Sequence, residues 1–422
     1  MGKIINKYSA MLFASLLVSQ AHADTLGDVF NKVVTTNPTI LASRHGINVA
    51  KESMAQAQGG FFPTITATGS TKKSNTSNDN GTDTNNYPKS VGVNLKQTLF
   101  AGGGVVSGYR ASRNSYFSTK ATHDSTVQAT LNNLVSAYIG VLTAEEVLNL
   151  QINQVKLLQQ QMKMTDARFT QGEVTRTDVM QATARLAAAN AGRIQAAGNY
   201  RTSQTSLANL VGEPVSNITW PKIDLDLPKE YNAELNEATL NKHPNVIAAL
   251  SALSSKKYNV KVAKAAHYPE INAVASYSNN NDTAAGDYDN STIGVEMSIP
   301  LFQGGNILSA VRAANYSKEQ ALQNYEQIKR DTTTNLVDAI ELYTTALASL
   351  QAFKDGEQAA KRADEGVEKE QMLGERTVLE LLDSRQELLE ARVNVAKGKG
   401  SVIIQAYNLL SAMGTLNVHS AD

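Results

Sequence analysis

The two halves of this chain are related by an internal repeat. The segment "LFAGG" at 99–103 returns as "LFQGG" at 301–305, 202 positions later. Gly172 and Gly374 are related by the same offset, whereas Pro63 and Pro269, which precede the motif, are 206 positions apart. One length difference of four residues therefore relates the two halves, and the sequence predicts two copies of one structural plan.

Each half predicts a helix, a β-hairpin, a long helix, a turn and a final helix. The first repeat covers 24–212, an irregular connector covers 213–234, the second repeat covers 235–416, and a short tail covers 417–422. The predicted helices are 26–61, 104–170 and 176–211 in the first half, and 236–268, 306–372 and 377–412 in the second. Pro63 and Pro269 end the first helix of each half, because proline removes a backbone donor and clashes with the preceding turn.

The long helix of each half is too long for a compact domain. Residues 104–170 contain no proline and carry apolar residues at steps of three, four and seven, the spacing of a coiled coil. At ~1.5 Å per residue such a helix is roughly 100 Å long. The two shorter helices together have about the same length, so they can stack end to end beside it. A purely structural coiled coil is the simplest alternative.

The hairpins, at about 64–99 and 270–301, alternate apolar and polar residues. The residues predicted on the apolar face are Val91, Val93, Leu95, Leu99, Ile293, Val295, Met297 and Ile299. This pattern fits outer-membrane barrel strands and a soluble half-buried sheet equally well. The chain is exported and carries its hairpins at the same end of two long helix sets, which favours the interpretation as outer-membrane strands. The polar loops 73–89 and 280–291 are then expected to be extracellular and mobile.

Four strands are too few to close a barrel, which needs about eight. An open sheet in lipid would leave its edge donors and acceptors unpaired. Three copies of the chain would supply twelve strands, so the hairpins predict a homotrimer.

The repeated motif itself predicts a strand-to-helix turn. Phe100 and Phe302 are placed to anchor the strand end in the membrane interface. The glycine pairs that follow, Gly102 with Gly103 and Gly304 with Gly305, allow a sharp change of direction.

Composition and the N-terminus narrow the class of protein. Residues 1–23 have early lysines, a short apolar run and Ala21-His22-Ala23, which predicts a cleaved signal peptide. Charge balances at 39 basic against 39 acidic residues, so nothing indicates a nucleic-acid partner. The absence of cysteine excludes disulfides and a lipid-modified cysteine. We find no metalloprotease, phosphate-loop or nucleophile-elbow motif, so the sequence predicts no enzyme and no cofactor or metal.

The chain resembles the TolC family of outer-membrane channel proteins over nearly its whole mature length. The resemblance is carried by the two proline–hairpin–FxGG segments and by three further stretches, "RFTQGEVTRTDVMQA", "MLGERTVLELLDSRQEL" and "LLSAMGTLN". The resemblance implies an α+β membrane protein: a trimer with a 12-stranded barrel in the outer membrane and a helical tunnel across the periplasm. It also implies an inner-membrane transporter and a periplasmic adaptor (membrane fusion protein) as partners, with drugs or proteins passing outward. Gly172 and Gly374 would mark the helix-turn tips that contact the adaptor.

Polar residues near the two turns are the candidate site. Glu380 and Asp383, at i and i+3, share one face of a helix near its start, where acidic residues are common for structural reasons alone. The resemblance implies instead an acidic ring at the periplasmic entrance. It likewise implies that Arg376, Thr177 and Asp178 are links of the closed state, against a simpler interpretation as surface residues at a loop.

One position departs from the family pattern. Gln371 stands where an aromatic residue is common before the second turn, whereas the first turn keeps Phe169. One contact of the closed state is therefore in doubt.

Overall fold

The structure, a computed structural model, describes residues 25–77, 83–215, 217–221, 227–282 and 286–421. The predicted signal peptide, residues 1–23, lies outside this range. The elements of the first half are α1 (Leu26–Thr36), α2 (Pro38–Gly59), β1 (Thr64–Thr71), β2 (Ser74–Ser77), β3 (Asp83–Asn86), β4 (Lys89–Ala101), α3 (Gly104–Thr170) and α4 (Arg176–Val211). Those of the second half are α5 (Ala233–Lys242), α6 (Pro244–Ala265), β5 (Glu270–Asp282), β6 (Gly286–Ser298), α7 (Asn306–Met372) and α8 (Val378–Ala412), followed by a 3-10 turn at Val418–Ala421.

The predicted long helices and the helix that follows the first turn are confirmed with the same bounds, 104–170, 306–372 and 176–211. The prediction of one unbroken helix at the start of each half is wrong. Asn37 and His243 adopt extended conformations, because the proline that follows each of them disfavours the helical region. Each then caps the next helix, so each half begins with two helices rather than one.

The helices form one layer in which the long helices α3 and α7 run the full length. In the part next to the sheet the order is α2, α3, α6, α7, and in the part away from it the order is α4, α3, α8, α7. The shorter helices therefore lie end to end beside the long ones, as predicted. No helix of the described ranges is both long and apolar enough for a membrane-spanning segment.

The main hydrophobic core lies where the shorter helices meet. Phe30 of α1 packs edge to face on Tyr407 of α8, with a ring-centroid distance of 6.1 Å. Tyr138 of α3 is fully buried, and its hydroxyl donates a hydrogen bond to the carbonyl of Thr219 at 2.9 Å. The irregular connector thus covers one side of the helix layer. On α7, a second cluster around Leu336 and other apolar residues packs against α5 and α8.

The main sheet is antiparallel, with the strand order β1-β4-β5-β6. The central pair, β4 with β5, joins the two halves of the repeat, and β1 and β6 are the edges. The prediction that 73–89 and 280–291 are loops is wrong for most of their described residues, and 78–82 and 283–285 lie outside the described ranges. The extracellular exposure and mobility of both segments stay predictions. The first contains the β2–β3 ribbon, and most of the second belongs to β5 and β6, whose backbones continue to pair as far as Asp282 and Gly286.

The sheet has one apolar and one polar face, as the alternation predicts. Cross-strand pairs such as Ile65 with Leu95, Ala273 with Val295 and Ile271 with Met297 share the apolar face. Its large side chains are exposed: Ile65, Val91, Val93, Ile293, Val295 and Met297. The opposite face carries threonine, asparagine, serine and charged residues, including the Lys96–Glu270 ion pair.

The two strand-to-helix turns differ at their aromatic residues. Phe100 lies in β4 just after a bulge and pairs with Ile271, whereas Phe302 lies four residues beyond the end of β6. Pro300 explains the earlier end, because proline cannot donate to a sheet ladder. The glycines of both turns have positive φ, and a Cβ atom on Gly102 would lie 2.7 Å from Tyr268 Cβ.

Candidate functional site

The two helix-turn tips are built by the same backbone device. Gly172 and Gly374 have φ values of 78° and 80°, the left-handed conformation that ends a helix at little cost only for glycine. The amide of Gly172 donates to the carbonyl of Phe169 at 2.9 Å, and that of Gly374 to the carbonyl of Gln371 at 3.1 Å. Repetition of the glycine therefore repeats the turn.

The helices that leave the two tips start with equivalent capping boxes. The amide of Thr175 donates to Asp178 Oδ2 at 2.8 Å, and the amide of Asp178 donates to Thr175 Oγ1 at 3.3 Å. Thr377 and Glu380 make the same reciprocal bonds at 2.8 and 3.2 Å. Asp178 and Glu380 thus have a structural role that fixes the start of α4 and α8.

Arg376 adds an ion-pair network to the second tip. Its Nε donates to Glu370 Oε2 at 2.9 Å and its Nη1 to Glu380 Oε1 at 2.7 Å, so it ties the end of α7 to the start of α8. The amide of Thr377, and then the guanidinium, lower the pKa of Glu380 from 4.5 to about 2. The hydrogen bonds that Arg376 donates to Glu380, and then to Glu370, raise the pKa of Arg376.

The first tip has the opposite charge arrangement. Arg168 of α3 occupies the repeat position of Glu370 and pairs with Glu173 of the turn, with Nε and Oε2 3.0 Å apart. Val174 occupies the repeat position of Arg376. The three-residue network of the second tip therefore has no counterpart at the first.

Asp383 has a partner that the sequence did not indicate. Its carboxylate forms an ion pair with Arg185 of α4, which is half exposed. Glu380 and Asp383 share one face of α8, but within a chain they pair with different basic side chains. Glu380 pairs with Arg376 of the turn, and Asp383 pairs with Arg185 of the other hairpin. Both carboxylates remain open to solvent, as an entrance ring requires, and the ring itself stays a prediction.

The closed-state links are not formed within one chain. Thr177 is exposed in the first turn of α4, and Asp178 is engaged as a cap. In the described part of the chain, the hydrogen bonds of Arg376 go to Glu370 and Glu380. The links of Arg376 to Thr177 and Asp178 therefore stay a prediction.

Gln371 fills a position between helices, whereas Phe169 points out. Gln371 is 6% exposed and Phe169 is 40% exposed. Gln371 lines a cavity of about 210 Å³ between α3, α7 and α8, together with Gln161. The side-chain oxygen of Gln161 is buried without a hydrogen-bond partner among the described residues.

Sequence reasoning missed Arg385, a buried charge between α7 and α8. Its Nη2 donates to Glu368 Oε1 at 2.6 Å, and its neighbour Ser384 donates to Asp364 Oδ1 at 2.7 Å. Arg385 is 8% exposed and lies on the same stripe of α8 as Leu381 and Leu388. A charged residue at an otherwise apolar heptad position was the available signal.

No cluster of potential metal ligands occurs within the ranges that the structure describes.

Both halves of the repeat match the same family of known proteins. Residues 29–213 and 235–415 each match the family described as outer membrane efflux protein. The chain belongs to the outer membrane efflux protein family. The family resemblance stated from the sequence is thereby confirmed.

Individual members of the outer membrane efflux protein family are similar along most of their length. The chain is 27% identical to outer membrane efflux protein BepC of Brucella suis, with 97% of this chain and 89% of that protein covered. It is 25% identical to outer membrane protein TolC of Escherichia coli, with 94% and 84% covered. The Campylobacter jejuni CmeC outer membrane channel has a TM-score of 0.84 at 19% identity, with 94% and 88% covered, which confirms the fold.

Proposed function

We propose that the chain is one subunit of a homotrimeric outer-membrane channel that serves as an exit duct. Small molecules, including drugs, are the proposed cargo, and proteins of type I secretion are a second cargo class for the same duct. The signal peptide directs export, outer-membrane lipid surrounds the strands, and the helices extend into the periplasm.

The sheet is the single observation that carries the proposal. Its four strands leave two open edges, β1 and β6, and its apolar face exposes large side chains. In lipid, unpaired edge groups cost several kcal/mol each, so the edges must be covered. Pairing of β6 with β1 of the next copy would cover every edge, and three copies would give a barrel of twelve strands.

The helix layer supports the same assembly. Helices α2 and α4 form one edge of the layer, and α7 forms the other. The edge with α2 corresponds to strand β1 of the sheet, and the edge with α7 corresponds to strand β6. A symmetry that closes the sheet therefore also closes the helices into a tube. Since α3 and α7 each have 67 residues, that tube is roughly 100 Å long.

The tips at Gly172 and Gly374 lie at the end of the helices away from the sheet. In the proposed channel they would lie deepest in the periplasm. There they would contact a periplasmic adaptor and, through it, an inner-membrane transporter. Glu380 and Asp383 of three copies would form the acidic entrance, and Arg376, Thr177 and Asp178 would link helices in the closed state.

Two measurements on the detergent-purified protein test the proposal. The mass of the particle, after subtraction of the detergent, should be three times that of the 45.4 kDa chain less its signal peptide. The same preparation should produce discrete conductance steps in a planar lipid bilayer. A structural or adhesive coiled-coil protein of the envelope would give no conductance, and a stable monomer with full β-structure would refute the assembly.

A further inference from the structure

A cleft of about 830 Å³ lies in the middle of the helix layer, where α6 begins and α8 ends between α3 and α7. It opens on the side away from α5. Thr333 of α7 bonds to Asn236 of α5, with Oγ1 and Oδ1 3.0 Å apart, whereas Asp331 and Asn335 line the cleft. Residues two apart on a helix point about 200° apart, so these side chains face away from α5. The volume of the cleft is that of a small-molecule site.

The charged lining of the cleft is acidic. Asp331 and Asp338 lie seven residues apart on one face of α7 with Asn335 between them. Gln327, a neutral residue, donates to Asp331 Oδ1 at 2.7 Å. None of the described residues that line the cleft is lysine or arginine, so the two carboxylates are not neutralised there.

His243, at the start of α6, does not supply a positive charge to the cleft. Its Nδ1 accepts the amide of Asn245 at 3.2 Å, as the cap of α6, and burial lowers its pKa below 6.5. A neutral imidazole is required for that cap, because the accepting nitrogen must be unprotonated.

The rest of the lining is apolar or amide. Ala248, Ala249 and Ala252 of α6 present methyl groups to the cleft. Asn132 donates from Nδ2 to Asn408 Oδ1 at 2.7 Å, while its own Oδ1 is buried with no partner among the described residues. The wall thus offers an apolar surface beside acceptors.

We propose that this cleft is a transit site for organic cations, with the charged group at Asp331 and Asp338 and the apolar body on the alanine surface of α6. The inference rests on the proposed function, because it takes the cleft to face the inside of the closed tube, with α5 on the outside. It adds to that function a binding step inside the duct and a preferred charge of cargo.

Ethidium, a flat fluorescent cation, is the probe for the assembled protein in detergent. Ethidium fluorescence anisotropy should show saturable binding to the wild type. In the double variant D331N/D338N the affinity should fall at least about tenfold, because two attractive charges are lost at unchanged side-chain size. The matched control is D355N. Asp355 also lies on α7 and accepts a hydrogen bond at 3.0 Å from the glutamine one turn earlier, Gln351. Asp331 is bonded in the same way by Gln327, but Asp355 lies outside the cleft.

The outcomes separate this inference from the proposed function. Loss of affinity in D331N/D338N but not in D355N supports the site, provided that the variant keeps the particle mass of the wild type. Unchanged ethidium affinity in D331N/D338N, or equal loss in D355N, contradicts it even if the wild type conducts. Displacement of ethidium by Mg²⁺ but not by tetraethylammonium at equal ionic strength would show an inorganic-cation site and would also contradict it. Absence of conductance in the wild type would refute the proposed function instead.

Discussion

The hairpin α3–α4 and the hairpin α7–α8 have equivalent backbones and different charge chemistry. Both turn at a glycine with positive φ, and both start their second helix with a capping box. Only the second hairpin carries the network around Arg376 and the buried Arg385, whose repeat position in the first hairpin is Thr183. Repetition therefore preserves the geometry of a tip, while the ionic contacts differ between the two hairpins.

The largest expected difference between the hairpins lies at Arg385. R385A removes a buried side chain, leaves a gap between α7 and α8, and takes the cation away from Glu368 and Asp364, which together should cost about 3 kcal/mol. Hydrogen–deuterium exchange in peptides around 360–390 should then speed up about 100-fold, since about 1.4 kcal/mol corresponds to a factor of ten. T183A, the matched change in α4, should alter exchange around 176–190 by less than about threefold. Equal effects in the two hairpins would show that Arg385 does not distinguish them.

A smaller effect is expected at the caps, where the hairpins should behave alike. T175A and T377A each remove the N-cap hydroxyl of an equivalent capping box, which costs about 1 kcal/mol. Exchange in the first turn of α4 and of α8 should speed up by similar factors, about fivefold. A loss confined to one tip would contradict the structural equivalence of the two turns.

The acid response of the second tip should be the smallest effect and depends on Glu380. Because the folded-state pKa is lowered to about 2, the stabilisation from its carboxylate is fully present above pH 4.5 and is lost as the pH falls through about 2. Exchange at the start of α8 should therefore be slower in the wild type than in E380Q above pH 4.5. The difference should shrink between pH 4.5 and 2, and a difference that disappears already near pH 4.5 would show that the pKa is not lowered.

Much of the fold follows from the sequence because its signals are local. The bounds of α3 and α7 are set by long stretches without proline and by glycines at both ends. The strand faces follow from alternation, since side chains of a strand point to opposite sides in turn. The breaks at Asn37 and His243 were equally local, because each precedes a proline, and they could have been predicted.

The rest depends on contacts between distant segments. The pairing of β4 with β5 joins the two halves, and an alternation pattern does not specify which strands are neighbours. The ion pair between Arg185 and Asp383 depends on how α4 and α8 are rotated about their axes. The cleft beside Asp331 exists because the ends of α6 and α8 meet between two long helices, which no single segment encodes.

The most direct test of the account is block of the channel by a multivalent cation added from the periplasmic side. If three copies of Glu380 and Asp383 surround the entrance, hexamminecobalt(III) should block current through the wild type, because carboxylates in a narrow ring attract cations strongly. E380A/D383A should lose that block. The matched double variant at the first tip, D178A/Q181A, loses the equivalent cap but should keep the block. Unchanged block in E380A/D383A, or equal loss in both variants, would contradict an entrance formed by the second tip.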